Sequence, residues 1–348
     1  MKNGSHFIQS TLLALACVAC AGSWAQGNGV KVYGAVDLGM ERADNGDMHT
    51  MRLSSGLQTV SRLGFMGSED LGGGWKARFR LEAMLNADDG STQAKFFSRF
   101  SHVGLESGAG ALDLGRMYSP TFVVGVASDP FVRNRSSLVQ NMFLTQTSAT
   151  KTAVTPGFLD NSVRYTSPVW NNLWSEAMVT LGEASNNSGK GVGLSLQYRQ
   201  GPLYLGYGYQ ALRSGSAAAP ATPPVNTVSH VIGARYQWSA FTLYGQLNRN
   251  LTPGVPASTN SAVSLSWKVA GPHTLIAQLA HRSVALDQAN STGLLLGYNY
   301  ALSKRSTVYA RYGKVRNERL SGVTLNGFQL TQAGADPSTM SIGLSHLF

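Results

Sequence analysis

The chain has 348 residues, 43% apolar and only 13% charged, with 28 Lys and Arg against 18 Asp and Glu and a net charge of +10. That apolar content excludes a disordered chain. A helical membrane protein would carry several runs of about 20 apolar residues, and only residues 1–25 come near one. With 39 Gly, 13 Tyr and 13 Phe at a mean hydropathy of −0.08, what remains is two domains or one large β architecture.

Residues 1–25 read as a cleaved signal peptide, leaving 26–348 as a single domain. Lys2 supplies the positive n-region, Phe7 to Ala21 the apolar stretch, and Ser23-Trp24-Ala25 a small-x-small cleavage site. Cys17 and Cys20 both fall inside this leader. The mature chain then has neither a disulfide nor a thiolate metal site.

Beyond the leader the pattern has period two. Val192, Leu194, Leu196 and Tyr198 alternate with Gly193, Ser195, Gln197 and Arg199. Val263, Leu265, Trp267 and Val269 alternate with Ser264, Ser266 and Lys268. Met340, Ile342, Leu344, His346 and Phe348 close the chain in the same way. Successive side chains of a strand point to opposite faces, so each segment has one apolar face and one small or polar face. Sixteen strands are predicted, near 29–42, 51–66, 74–86, 95–106, 111–118, 161–168, 173–182, 190–200, 202–213, 226–238, 240–249, 261–269, 271–283, 291–301, 306–316 and 338–348.

The connections alternate in length. Gly72-Gly73-Gly74, Gly201-Pro202, Ser239-Ala240 and Gly271-Pro272 are tight. Stretches 43–50, 87–94, 119–160, 183–189, 214–225, 250–260, 284–290 and 317–337 are longer and more polar. This is the pattern of an up-and-down barrel with one short rim and one long-loop rim. The fold class expected is all-β, a 16-stranded antiparallel transmembrane barrel. Side chains cannot fill a barrel so wide, and Arg, Lys, Gln and Ser cannot pack a dry core. The apolar face therefore looks into lipid and the polar face lines water. Tyr198, Tyr207, Tyr209, Trp238 and Trp267 are read as an aromatic girdle.

Arginine outnumbers lysine by 19 to 9. Arg62, Arg78, Arg80 and Arg164 share the lumen parity of their strands, as do Arg199, Arg235 and Arg311; Arg99 shares its parity with Val103 and Leu105. An Arg facing lipid at midplane costs about 2–4 kcal/mol, which places these side chains inside. A basic lumen concentrates anions. The longest connection, 119–160, far exceeds a hairpin turn. It carries Asp129, Arg133 and Arg135 with the apolar Leu138, Val139, Met142, Phe143 and Leu144. These want burial, so the segment is expected to fold into the barrel mouth as a constriction loop. Asp129 would then set a transverse field against the arginine wall.

Several stretches resemble the general porins of the β-proteobacterial, neisserial-like type. They are Val32-Tyr33-Gly34-Ala35-Val36-Asp37, Ser61-Arg62-Leu63-Gly64-Phe65 with Gly67 to Gly74, and Leu114-Gly115-Arg116. Asn161 to Pro168, Tyr300 to Ser306 and the terminal Gly343 to Phe348 continue the resemblance to the end of the chain. It implies an outer-membrane homotrimer in contact with lipid and lipopolysaccharide, with the third long loop narrowing the pore. It places the wall arginines at Arg62, Arg99 and Arg164, and an aromatic signal for the outer-membrane assembly machinery at Phe348. Around Arg99 the chain reads Phe97-Ser98-Arg99-Phe100-Ser101, where the family more often has Gly-Arg-Gln-Ala-Tyr. The expected function is passive diffusion of small hydrophilic solutes and ions, with anions preferred.

Two other readings stay open. A substrate-specific anion channel fits the same basic lining. An outer-membrane barrel hydrolase would need a Ser–His pair assembled in space, and the six mature His are scattered with no His-Glu-x-x-His motif. Gly189 to Gly193 opens a strand instead of a helix, so it fails as a phosphate loop. Positive charges are spread singly, which argues against nucleic acid as a partner. No cofactor or metal is expected.

Overall fold

In the computed structural model, which describes residues 29–144, 156–216 and 218–348, the alternating segments form strands throughout. The expected leader lies outside the described residues. The first strands are β1 (Lys31–Asp44), β2 (His49–Ser55), β3 (Arg62–Gly72), β4 (Trp75–Met84), β5 (Phe100–Ser107) and β6 (Gly110–Tyr118). Two helices follow, α1 (Pro120–Ala127) and α2 (Leu138–Leu144). Next come β7 (Phe158–Thr166), β8 (Leu173–Thr180), β9 (Gly191–Gln200), β10 (Leu203–Arg213), β11 (Asn226–Trp238) and β12 (Phe241–Thr252). The last are β13 (Val255–Ala270), β14 (His273–Val284), β15 (Ser291–Ala301), β16 (Ser306–Asn317) and β17 (Ser338–Leu347).

Neighbouring strands pair antiparallel, and β17 returns to β1 from Ala35↔Leu347 to Asp44↔Ser338, closing the sheet into a barrel. The 17 segments fill 16 wall positions. Leu38–Asp44 of β1 pair with β2, whereas Lys31–Ala35 pair with β3, so β2 and β3 share one position. The strand expected at 51–66 is thus broken. Gly56, at φ +83°, starts a detour into the lumen. The backbone N–H groups of Gln58 and Thr59 donate to Asp37 Oδ2 at 2.6 and 2.5 Å, and Leu57 is fully buried. A second difference lies at 250–260. Pro253-Gly254 makes a tight turn there, with Gly254 at φ +74°, and β13 begins at Val255.

The faces are inverted relative to a soluble barrel. On β9, Val192, Leu194 and Leu196 are 46–51% exposed, while Ser195 and Gln197 are 4% and 2% exposed. The apolar side chains point out to lipid, as the alternation requires. On the short-turn rim Trp238, Phe241 and Trp267 stack at 6.0 and 5.6 Å between ring centres. Tyr198 lies near that rim, whereas Tyr207 and Tyr209 sit farther along β10 and pack with His230. Phe348 extends the closing seam: Gly34 N–H donates to its carbonyl at 3.1 Å and its own N–H donates back at 3.2 Å. Its ring lies so near Gly34 that a Cβ there would be 2.3 Å away.

The segment after β6 folds into the lumen. Ser119 caps α1 by accepting from Phe122 N–H at 3.3 Å, and Pro120 occupies its first turn. The helix lies against β9–β11, and glycines make room for it. A Cβ on Gly193 would meet the Pro120 ring at 2.9 Å, and one on Gly208 would meet Thr121 Cα at 2.9 Å. Further along, α2 packs against β13–β15. There Phe131, Leu138, Val139, Met142 and Phe143 join Ile276, Leu295, Val315, Val323 and Leu325 in one buried apolar cluster. The polar-lumen expectation therefore needs correcting for this side: part of the lumen holds a dry core. Each large apolar side chain buried there contributes about 1.5–3 kcal/mol.

Gly208→Val should leave the wall intact but push α1 off it, because the atoms it would meet are backbone. The variant should still run as a heat-modifiable barrel on gels while single-channel current noise rises. An unaltered current trace would show that α1 does not depend on that approach.

Candidate functional site

Strand parity places Arg78, Arg80 and Glu82 of β4 on the inner face, beside Tyr33 of β1 and Arg62 at the start of β3. Glu82 is fully buried and gathers this side of the wall. It accepts from Tyr33 Oη at 2.6 Å, from Arg80 Nη2 at 2.7 Å and from Arg99 Nε, with Arg62 Nε at 4.0 Å. Gly64 makes the Tyr33 arm possible, since a Cβ there would sit 2.4 Å from the ring. Arg99 precedes β5, so strand parity does not govern it. Its Nη2 also donates to Tyr118 Oη at 2.6 Å.

A second buried carboxylate, Asp113 of β6, organises the arginines nearer the short-turn rim. Arg78 grips it with two bonds, Nε to Oδ1 at 3.0 Å and Nη2 to Oδ2 at 2.8 Å. Arg164 adds Nη2 to Oδ2 at 3.1 Å, and His102 Nδ1 lies 3.6 Å away. Bidentate pairing of this kind fixes the plane of the guanidinium. Glu82 and Asp113 sit behind the arginines, whereas Glu106, which accepts from Arg78 Nη1 at 2.8 Å, stays about half exposed near the short turn. Arg78 and Arg80 are the more open, with about a third of each side chain exposed.

Opposite this wall, Asp129 organises the loop. It accepts from Phe131 N–H at 3.1 Å, Arg133 N–H at 2.8 Å, Ser137 Oγ at 2.6 Å and Gln278 Nε2 at 3.0 Å. These bonds hold Val132 and Arg133 at φ +45° and +52°, a region costly for a β-branched residue. Asp129 is only 2% exposed, so it does not set a field across the opening as the sequence suggested. Burial pushes its carboxyl upward from the usual range, although these donors oppose the shift. The loop instead presents arginine. Burial pushes Arg133 down to about 10, leaving it charged at neutral pH. Its guanidinium lies over Phe122 at 4.7 Å and Phe143 at 5.1 Å. Arg135 donates to the Asn326 carbonyl at 2.8 Å. Neither has a carboxylate within 4.0 Å among the described residues.

Two open cavities follow the lumen. The one toward the long loops, about 690 Å³, is lined by Arg99, Arg133 and Arg135 with Asn86, Gln93, Gln140, Phe122 and Phe158. The one toward the short-turn rim, about 440 Å³, is lined by Lys31, Arg78, Arg80, His102 and Arg164. Among the described residues, no Asp or Glu lines either. Of the arginines expected at the constriction, Arg78, Arg80 and Arg164 gather at one cavity and Arg99 at the other. Arg62 lies between them in the wall, where it donates to Thr59 Oγ1 and the Val60 carbonyl. Sequence reasoning missed Glu82, Asp113 and Tyr33. Glu82 carried a readable signal, since it continues the inner parity of Arg78 and Arg80.

Glu82→Gln should destabilise the barrel by about 3 kcal/mol, the low end for breaking a buried ion pair because the arginines are partly solvated. Glu106→Gln, whose side chain is 46% exposed, should change stability by about 0.5 kcal/mol or less. Urea unfolding in lipid vesicles, followed by Trp fluorescence, compares the two. Equal losses would contradict a load carried by the buried carboxylate.

Residues 10–320 match the Gram-negative porin family. Outer membrane porin protein 32 of Delftia acidovorans is 28% identical over 361 residues, spanning 98% of this chain and all of that relative. Major outer membrane protein P.IB of Neisseria meningitidis is 27% identical over 208 residues, covering 58% of this chain and 57% of the relative. Among solved structures, an anion-selective porin from Comamonas acidovorans superposes with a TM-score of 0.83 at 24% identity, over 92% of this chain and all of that one. The all-β closed barrel agrees with that relationship. This chain belongs to the Gram-negative porin family and forms an outer-membrane channel.

Proposed function

We propose that the channel passes small hydrophilic solutes and ions by diffusion and prefers anions. The observation that supports this most directly is that cations line both cavities and, among the described residues, no carboxylate does. Glu82 and Asp113 balance charge from behind and stay out of reach of a passing ion. The field an ion meets is therefore positive, and the low-dielectric wall strengthens it. On this reading Arg62, Arg78, Arg80, Arg99 and Arg164 form the positive wall and Arg133 and Arg135 the facing side. Asp129 holds the loop, residues 119–160, in place. The similarity to a porin named for anion selectivity points the same way.

The same proposal takes residues 1–25 as a removed leader and 26–348 as one barrel domain. It takes Phe348 as the terminal signal read by the assembly machinery, lipopolysaccharide as a lipid neighbour and a homotrimer as the working form. A similar barrel, OmpT of Vibrio cholerae, is described in a trimer form. The barrel acts as a conduit with no catalytic step.

In planar bilayers under a KCl gradient, the reversal potential should show chloride preferred over potassium. Replacing Arg133 and Arg135 together by Gln should lower the chloride-to-potassium permeability ratio several-fold, because neither charge has an ion-pair partner to release. A cation-selective channel would refute the anion preference. Folded protein without conductance would favour the barrel-hydrolase reading.

A further inference from the structure

We infer that the cavity on the long-loop side holds a subsite for arene carboxylates, organic anions with a flat apolar body. This rests on the channel reading above and adds the class of solute that dwells in it. A passage tuned only for small inorganic ions needs charge and water. This one also carries a contiguous aromatic strip. Phe100, Tyr118 and Phe158 stand together on the wall, with Phe100–Tyr118 at 4.7 Å and Tyr118–Phe158 at 4.6 Å between ring centres. Phe122 of α1 continues the strip from the loop, 4.8 Å from Tyr118 and 5.7 Å from Phe158. Of these rings, Phe122 and Phe158 line the cavity.

Several guanidiniums lie over the strip, Arg80 on Phe100 at 3.8 Å and Arg116 on Phe158 at 5.4 Å among them, but of those that do only Arg99 and Arg133 line the cavity, and these two differ in their commitments. Arg99 stacks over Phe158 at 5.3 Å but is spent on Glu82 and Tyr118. Arg133 is only 8% exposed, yet its side chain makes no hydrogen bond or ion pair among the described residues, and its Nε is buried without a partner. A buried charge left unpaired is costly. Arg133 lines the cavity and its two terminal nitrogens are not sequestered as Nε is, so a carboxylate arriving there pairs with them in a fork geometry and supplies the missing countercharge. An arene attached to that carboxylate then lies against Phe122 and Phe158, extending the ring cluster edge-on or offset. Phe122 links both halves, since it touches Arg133 and neighbours Phe158. Acetate would satisfy the guanidinium but leave the rings unused, and benzyl alcohol would do the reverse.

The test measures single-channel chloride current through the full refolded protein while benzoate, acetate or benzyl alcohol is added. Benzoate should reduce the current saturably, with a half-blocking concentration at least about tenfold below that of acetate. Arg133→Gln should raise the benzoate value about tenfold. Phe158→Leu should bring benzoate toward acetate without removing the charge, so it separates ring contact from attraction to a positive pore. Heat-modified gel mobility checks that each variant is folded. Equal block by benzoate and acetate, or a benzoate block that Arg133→Gln leaves untouched, overturns the subsite while the anion channel stands. A folded barrel that passes no chloride overturns both.

Discussion

Everything in this molecule depends on satisfying the backbone inside a lipid bilayer. Hydrocarbon offers no partner to an N–H or C=O group, so a sheet that spans it must have no edge. The seam between β1 and β17 supplies that closure, and Gly34 and Phe348 carry it to the last residue. Once the ring is closed, the two faces of each strand separate into two solvents. The outer face must be apolar. The inner face is free to carry Arg, Glu and Asp, whereas an Arg facing lipid at the bilayer midplane costs about 2–4 kcal/mol.

A closed ring of sixteen wall positions creates a second problem, because it encloses more space than its own side chains fill. The chain fills part of that space with its longest connection. Glycines on the inner faces of β9 and β10 let α1 lie against the wall, and the cluster around Leu138 and Met142 anchors the rest. Asp129 ties the turn between the helices, and its four bonds compensate for two left-handed residues. The loop is thus part of the interior, with its helices packed on the β9–β11 and β13–β15 side of the wall.

Charge in that path is arranged in depth. Glu82 and Asp113 take the innermost layer, where pairing offsets their desolvation. The arginines lie over them and face the water. Five arginines, Arg62, Arg78, Arg80, Arg99 and Arg164, lie against these two carboxylates, so on the channel reading proposed above a passing ion meets the guanidinium layer first. Arg133 departs from this scheme: it is buried without a carboxylate, between two aromatic rings. That departure separates a plain electrostatic filter from a place where a particular kind of anion can pause.

Much of this was legible in order of residues alone, because period two is a local property. The alternation at Val192–Arg199 and Val263–Val269 named the strands and their outward faces, and the apolar residues after Asp129 announced a loop that needed burial. Arg78 and Arg80 could be placed inside by parity. Other features depend on what lies across the barrel. Gly56 permits the break at Gly56 to Ser61, but the detour is held by Asp37 of another strand, which accepts its N–H groups. Asp129 reads in sequence as a pore charge, and Gln278, 149 residues away, helps hold it in the interior instead. Composition and alternation therefore determined the architecture and which face of each strand looks outward. Only the tertiary structure decided which charges face water, since pairing and burial arise between residues that the sequence keeps far apart.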